Sequence, residues 1–484
     1  MVSRRQFVAG LGASAIVLGF DPLSRSWLTE ASAATFDHVP SLDGMLVTDP
    51  TSLAGYAVDA GNIVHNTPVA VLLPGSVKDI QKMVRFCARR GIEVAARGQG
   101  HATFGQSQVA GGLVIDMSTL NEIHSILPTG ADVDAGVKWN DLLTTSVPLG
   151  LTPPVLTGYL GLSIGGTLSV GGISSTNERG AQVDHVQELE VVTGEGQLKR
   201  CSRHHNRDLF EACLAGLGQF GIITRATIDM TPAPALVRVY QINYSDNAAF
   251  FADMRALLDR GELDDVYLFG VADGAGGWIY QLNLGKFYNP GSEPNDAVLL
   301  RDLSVAPAAA VIQDAPFVNY ALRVDVAIDF FRSIGLWNGV LHPWFDVWLP
   351  DSTVEEYVGD VLPTLTPEDV GPTGFLLLFP QRNSKLRQKF LRVPECDEWV
   401  FLFDILTANA VPGPDPAFEA RMLARNRALF EQARELGGTR YPIGALEFDH
   451  SDWVEQYGDD WQEFKALKRR FDPQRILAPG QGIF

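Results

Sequence analysis

Cysteine is scarce in this 484-residue chain: Cys87, Cys201, Cys213 and Cys396 are all there is, and no two stand in C-x-x-C spacing. That excludes a structural zinc site and a disulfide-dense scaffold, and neither requires nor forbids a single disulfide. Positive charge is also in deficit. Lys and Arg number 38 against 57 Asp and Glu, a formal charge of −19, so the chain repels phosphate backbones and a nucleic-acid partner is excluded. No apolar run reaches the roughly 20 residues of a membrane span. A Rossmann fingerprint is missing too, since no G-x-G-x-x-G opens a helix with an acid about 20 residues later. His204-His205 lacks a third ligand at helical spacing and reads as a solvated turn, so no metal site is expected.

What is present is a chain with 46% hydrophobic residues, enough to bury sizeable cores. At about 100–200 residues per domain, the length fits two or three domains. Residues 1–33 stand apart. Ser3-Arg4-Arg5-Gln6-Phe7 is followed by the uncharged run Val8 to Phe20 and then by the small-residue site Ala31-Ser32-Ala33, the order of an export signal. The arginine pair resembles a twin-arginine signal. This implies a periplasmic or extracellular protein, carried by a route used for folded, cofactor-loaded chains.

From 68 to 235 short β-rich runs alternate with helical stretches and Gly-rich turns. Val69 to Leu73 is predicted as a buried strand. Ser76 then caps a helix over Val77 to Gly91, with Ile80, Val84 and Cys87 on one face. Ile92 to Ala96, Leu113 to Asp116 and Glu188 to Val192 are further strands. Pro232-Ala-Pro234 marks a boundary. Beyond it come aromatic strands, Trp344 to Trp348 and Phe375 to Phe379, whose rings are either core or cavity lining. One charged helix is predicted over Trp453 to Arg470, capped by Asp449. The turn-rich tail 471–484 reads as docked.

Three glycine clusters carry the chemistry. Arg97-Gly-Gln-Gly-His101 through Gln106 follows a strand, where unshielded amides can wrap a phosphate. Leu162 to Ile173 holds four glycines among small hydroxyls, and Gly216 to Arg225 adds three more ahead of a strand. One such loop is weak evidence. Three together point to a long ligand cradled along its length.

These loops resemble the FAD-binding domain of the vanillyl-alcohol oxidase / p-cresol methylhydroxylase superfamily, and within it the cytokinin dehydrogenases. The resemblance runs through Tyr159-Leu160 before Gly165-Gly-Thr-Leu-Ser169, Gly216 to Arg225, His342-Pro-Trp344, Asp472-Pro473 and Pro479 to Phe484. It implies an α+β fold in two domains: a FAD-binding domain over 34–235, and a substrate-binding cap with an antiparallel sheet over 236–440. The segment 441–484 then returns to the FAD domain. It also implies FAD held covalently through His101 to the flavin 8α-methyl group. Gly98, Gly100, Ala102 and Gln106 match the pyrophosphate side, Ser163, Ser169 and Ile173 the second loop, Ile223 the third, and Tyr441 and Gln481 the surroundings of the isoalloxazine. No cysteine lies between 87 and 201, so a second, cysteinyl attachment before the second loop is excluded.

The chain departs from the family where the substrate sits. The aspartate that accepts the substrate proton in cytokinin dehydrogenases precedes the Tyr-Leu pair, and Gly158 stands there. Phe269 falls where the family has a second acid. The implied activity is hydride removal from an activated C–H beside nitrogen or oxygen. The expected substrate is small and organic, more apolar than a standard cytokinin, with Tyr441 or a water accepting its proton. Two alternatives are a genuine cytokinin dehydrogenase and a flavin-loaded binding protein with little turnover. Dioxygen or a quinone-type acceptor would reoxidise the flavin.

Overall fold

The structure, a computed structural model, describes residues 17–28, 37–395 and 398–484. The Arg4-Arg5 pair and the Ala31-Ser32-Ala33 site lie outside these. Within the stretch assigned to the export signal, strands Gly19–Asp21 and Ser26–Leu28 join Asp37–His38 in a small antiparallel sheet. Phe20 packs edge-on against Phe86, ring centres 6.5 Å apart.

Three larger sheets position the site. The first runs in the order Met45–Val47, Ala70–Leu73, Leu113–Asp116, Val94–Arg97, the last three mutually parallel. Ala70–Leu73 is buried throughout, which is why it reads as a continuous apolar run. Helix Val77–Ala88 connects it to Val94–Arg97 and buries Ile80, Met83, Val84 and Cys87 against the sheet. Val94–Arg97 then delivers the first glycine loop at its carboxyl end, the edge where open α/β sheets bind ligands. The second sheet is antiparallel, in the order Leu198–Ser202, Val186–Val192, Ile222–Ile228, Gly130–Asp134, Ile123–Leu127. Its strand Ile222–Ile228 receives the third glycine loop.

The third sheet begins at Leu236 and has eight antiparallel strands, with Asp265–Ala272, Phe375–Arg382, Trp399–Leu406 and Phe345–Pro350 side by side at its centre. Alternation along each strand divides its two faces. Phe345 and Val347, like Phe401 and Phe403, pack with Phe250, Tyr357 and Phe430 of the outer helices. Asp346, Leu402, Asp404 and Leu406 face the other way, into a cavity. The fold is α+β, with an antiparallel C-terminal sheet as expected. Among the described residues no helix is long and apolar enough to cross a membrane.

The single helix expected over Trp453 to Arg470 is two, His450–Tyr457 and Trp461–Phe471, joined by a turn at Gly458–Asp460. Gly458 takes φ +49°, a left-handed conformation that ends the first helix. Asp449 caps it through the Asp452 amide at 2.9 Å. The tail docks as predicted. Val94 donates to the Ile476 carbonyl at 2.7 Å and Ala478 donates to the Val94 carbonyl at 2.9 Å. A buried ion pair, Lys468 to Asp472 at 2.9 Å, holds it from behind. Lys468 Nζ also donates to the carbonyls of Gln219 and Leu477 at 3.0 Å, which ties the tail to the third glycine loop.

Candidate functional site

The three glycine loops, the tail and the inner face of the third sheet enclose one cavity of about 580 Å³. Gly98, Gly100, His101, Ala102, Gln106, Gly158, Ser163, Ser169, Ile173, Ile223, Tyr441 and Gln481 all line it. Residues up to 383 positions apart in the chain are thereby brought to one surface (98 to 481).

The first loop is shaped from outside the cavity. Buried Asp59 accepts the amides of Gly105 at 2.6 Å and Gly61 at 3.0 Å, and burial pushes its carboxyl up to about 6. Gly100 takes φ +62°, and a Cβ there would fall 2.4 Å from the Arg97 guanidinium. A side chain at Gly98 would meet Ser163 Oγ at 1.9 Å, so the first and second loops touch only because this residue is glycine. The amides of Gln99 to Ala102 have no acceptor among the described residues, the arrangement that receives an anionic group.

The segment after strand Thr439–Arg440 stitches the loops together. Tyr441 OH accepts the Gly172 amide of the second loop at 3.1 Å, while the Tyr441 amide donates to the Asp346 carbonyl at 3.2 Å. Gln106 Nε2 donates to the Gly444 carbonyl at 3.1 Å, and the Thr103 amide to the Ile443 carbonyl at 3.1 Å. Burial pushes the Tyr441 phenol well above its ordinary range, so it stays protonated.

His101 lines the cavity among aromatic rings. Its ring centre lies 4.9 Å from Tyr159, 5.1 Å from Trp344 and 6.4 Å from Trp337. Burial, with smaller contributions from His342 and Arg332, pushes the imidazole down to about 3. It is therefore neutral at physiological pH, with a free nitrogen lone pair. His342 beneath it donates from Nε2 to the Trp337 carbonyl, 3.0 Å away, and burial lowers it to about 4.

That depression has a measurable consequence. A histidine buried neutral stabilises the fold fully above its unfolded value of about 6.5, and the stabilisation is lost as pH falls toward 4. The slope is about 1.4 kcal/mol per pH unit for one group. His342→Gln, which keeps a donor for the Trp337 carbonyl, is expected to flatten the fall in thermal midpoint between pH 6.5 and 4. Equal slopes in variant and wild type would show that His342 is not the group responsible.

On the substrate side, a Cβ at Gly158 would meet nothing closer than Val324 Cγ2 at 3.9 Å. Phe269 pairs across the sheet with Gln281 and Leu377 and its ring meets Phe375 edge-on at 5.9 Å. Gly158 and Phe269 thus leave room and an apolar wall at two places where the resemblance puts carboxylates.

Comparison with known proteins agrees with this geometry. A family described as "FAD binding domain" matches residues 68–202, and one described as "Cytokinin dehydrogenase 1, FAD and cytokinin binding" matches 264–484. An uncharacterized oxidoreductase in the fasciation locus of Rhodococcoides fascians is 38% identical, over 91% of this chain and 99% of that protein. Cytokinin dehydrogenase 2 and cytokinin dehydrogenase 4 of Arabidopsis thaliana are 33% and 34% identical, over 93% and 92% of this chain and 95% and 93% of theirs. The chain belongs to the cytokinin dehydrogenase-like family of FAD-binding oxidoreductases.

The residues present fit FAD. The open amides of Gln99 to Ala102 suit its pyrophosphate, and the long cavity suits its length. When bound, FAD supplies the two-electron acceptor that no side chain can. Sequence reasoning missed the polar groups of the third sheet. Asp346 was passed over inside the aromatic run Trp344 to Trp348, and Asp404 inside Trp399 to Leu406. The signal for Asp346 was its parity, since it shares a strand face with Trp348. Arg323, stacked 4.0 Å from the Tyr320 ring centre and lining the same cavity, gave no signal at all. No cluster of metal-ligating residues occurs among the described residues, and Cys87, Cys201 and Cys213 are free and buried.

Proposed function

We propose that the protein is an exported oxidase or dehydrogenase that removes hydride from an activated C–H beside nitrogen or oxygen. FAD, attached through His101, is the acceptor, and the donor is not a standard cytokinin. The observation that carries this reading is Gly158, which lines the cavity with open space in front of its α-carbon. Hydride leaves an amine only from the neutral form, and a positioned carboxylate ordinarily keeps it so; a glycine does not. Phe269, Phe375, Leu377 and Val324 supply a wall suited to a broader apolar donor. The Arg4-Arg5 pair supports export.

A second reading, a genuine cytokinin dehydrogenase, is favoured by the match of residues 264–484 to the cytokinin-binding family. Anaerobic bleaching of the visible flavin band separates the two. Aryl and allylic amines and alcohols are expected to bleach it faster than N6-isopentenyladenine. Fastest bleaching by isopentenyladenine would transfer the assignment to the second reading. No bleaching by any donor would leave a flavin-loaded binding protein.

A further inference from the structure

Among the described residues that line the cavity, the only carboxyl groups are Asp346 and Asp404. They sit directly opposite each other on the antiparallel strands Phe345–Pro350 and Trp399–Leu406, 3% and 5% exposed. Their carboxyl groups lie on the same face of the strand pair, and each acts on the other. Two carboxyl groups set directly opposite each other in a buried place resist both being ionised, so the pair favours holding one proton. Both oxygens of Asp346 and Oδ1 of Asp404 have no hydrogen-bond partner among the described residues. A fully buried carboxyl pair without outside donors is costly, and here it opens onto the cavity rather than into packed core.

The surroundings set its charge. Arg440, on the neighbouring strand Thr439–Arg440, acts on Asp346 without forming an ion pair. Its guanidinium lies over the rings of Phe448 at 4.5 Å and Trp453 at 5.3 Å and donates to the Gly444 carbonyl at 3.4 Å. Tyr441 faces the pair as a neutral phenol. Asp452, Tyr457 and Arg427 act on Arg440 from behind. Burial raises both carboxyls, and Asp346 raises Asp404 further by like charge. One proton and one negative charge on the pair, balanced by Arg440, is the state these groups favour.

We propose that the Asp346–Asp404 pair is the proton acceptor of this cavity, replacing the carboxylate that Gly158 lacks. The inference rests on the hydride-removal reading above. The donor's C–H hydrogen leaves with both bonding electrons to oxidised flavin, and its N–H or O–H proton passes to the pair as the C=N or C=O bond forms. The pair goes from one proton to two and later returns one to solvent. Tyr441, Arg323 and His101, which also line the cavity, are poorer acceptors. Tyr441 is held protonated, Arg323 is a cation, and the resemblance commits the His101 nitrogen to flavin.

The test uses the flavin-loaded protein and two readouts. The first needs no donor: infrared difference spectra between acid and alkaline pH should show a protonated-carboxyl band that disappears in Asp346→Asn/Asp404→Asn. The second is the anaerobic bleaching rate against pH with the best amine or alcohol donor. The double variant is expected to lose about 10²–10⁴-fold, the usual worth of a positioned base. Asp404→Asn is the milder probe. It leaves Asp346 alone beside Arg440 with an amide for a neighbour, so the acid limb of the rate profile should move to lower pH, while a merely structural role would leave that limb in place. An unchanged rate in a double variant that retains its flavin, an unmoved acid limb, or an absent infrared band would overturn the proposal. If no donor bleaches the wild type, the hydride-removal reading falls and the acceptor role falls with it, whereas the infrared band still reports whether the pair shares a proton.

Discussion

Acid-precipitated wild-type protein is expected to stay yellow, and the His101→Ala pellet is expected to lose essentially all its colour to the supernatant. The expectation starts from the loop. Gly100 bends it at φ +62°, Asp59 braces its far end through the Gly105 amide, and His101 is presented at the cavity wall between Tyr159 and Trp344. Burial keeps the imidazole neutral, and only a neutral imidazole has the lone pair that a bond to the flavin 8α-methyl carbon requires. Alanine removes the nucleophile while leaving the amides of Gln99 to Ala102 in place, so FAD should still bind reversibly before denaturation. The variant's flavin potential should fall, since the attachment withdraws electrons from the ring system. Colour released from the wild type would mean that the loop binds FAD without a bond.

How much of this was legible in the sequence depended on distance along the chain. Leu113–Asp116 was readable to the residue because a buried parallel strand is a short apolar run between turn signals. Helix Val77–Ala88 was readable from its apolar stripe but ended three residues earlier than Gly91 suggested, with the chain turning at Arg89. Between Tyr457 and Trp461 the apolar spacing continues through Gly458, and only the backbone reveals the break. The glycine loops were visible as clusters, yet their convergence rests on contacts such as Gln106 to Gly444, more than 300 residues apart, for which periodicity carries no signal. The carboxyl pair was hidden for the same reason. Asp346 and Asp404 are ordinary acids in their own segments, and they become unusual only when strand register sets them face to face.

Gly158→Asp alone is expected to leave N6-isopentenyladenine turnover unchanged, and Gly158→Asp with Phe269→Glu to raise it about 10²–10⁴-fold. That gain is the worth of a positioned general base, or roughly 3–5 kcal/mol of barrier. The aspartate should enter without strain, because the nearest atom to its Cβ is Val324 Cγ2 at 3.9 Å and Gly158 is not left-handed. Strain is therefore not what limits the single variant. Phe269 is. Its ring sits against Phe375 on the cavity wall, where a polar adenine edge would lose hydrogen bonds to water and gain none. A glutamate there restores an acceptor, and only then does the new aspartate have a donor docked within reach. A wild type already fast on isopentenyladenine would sink the argument from Gly158 and leave the Asp346–Asp404 pair as its base. A full gain from Gly158→Asp alone would show that the Phe269 wall never excluded the adenine, and that the missing carboxylate was the whole barrier.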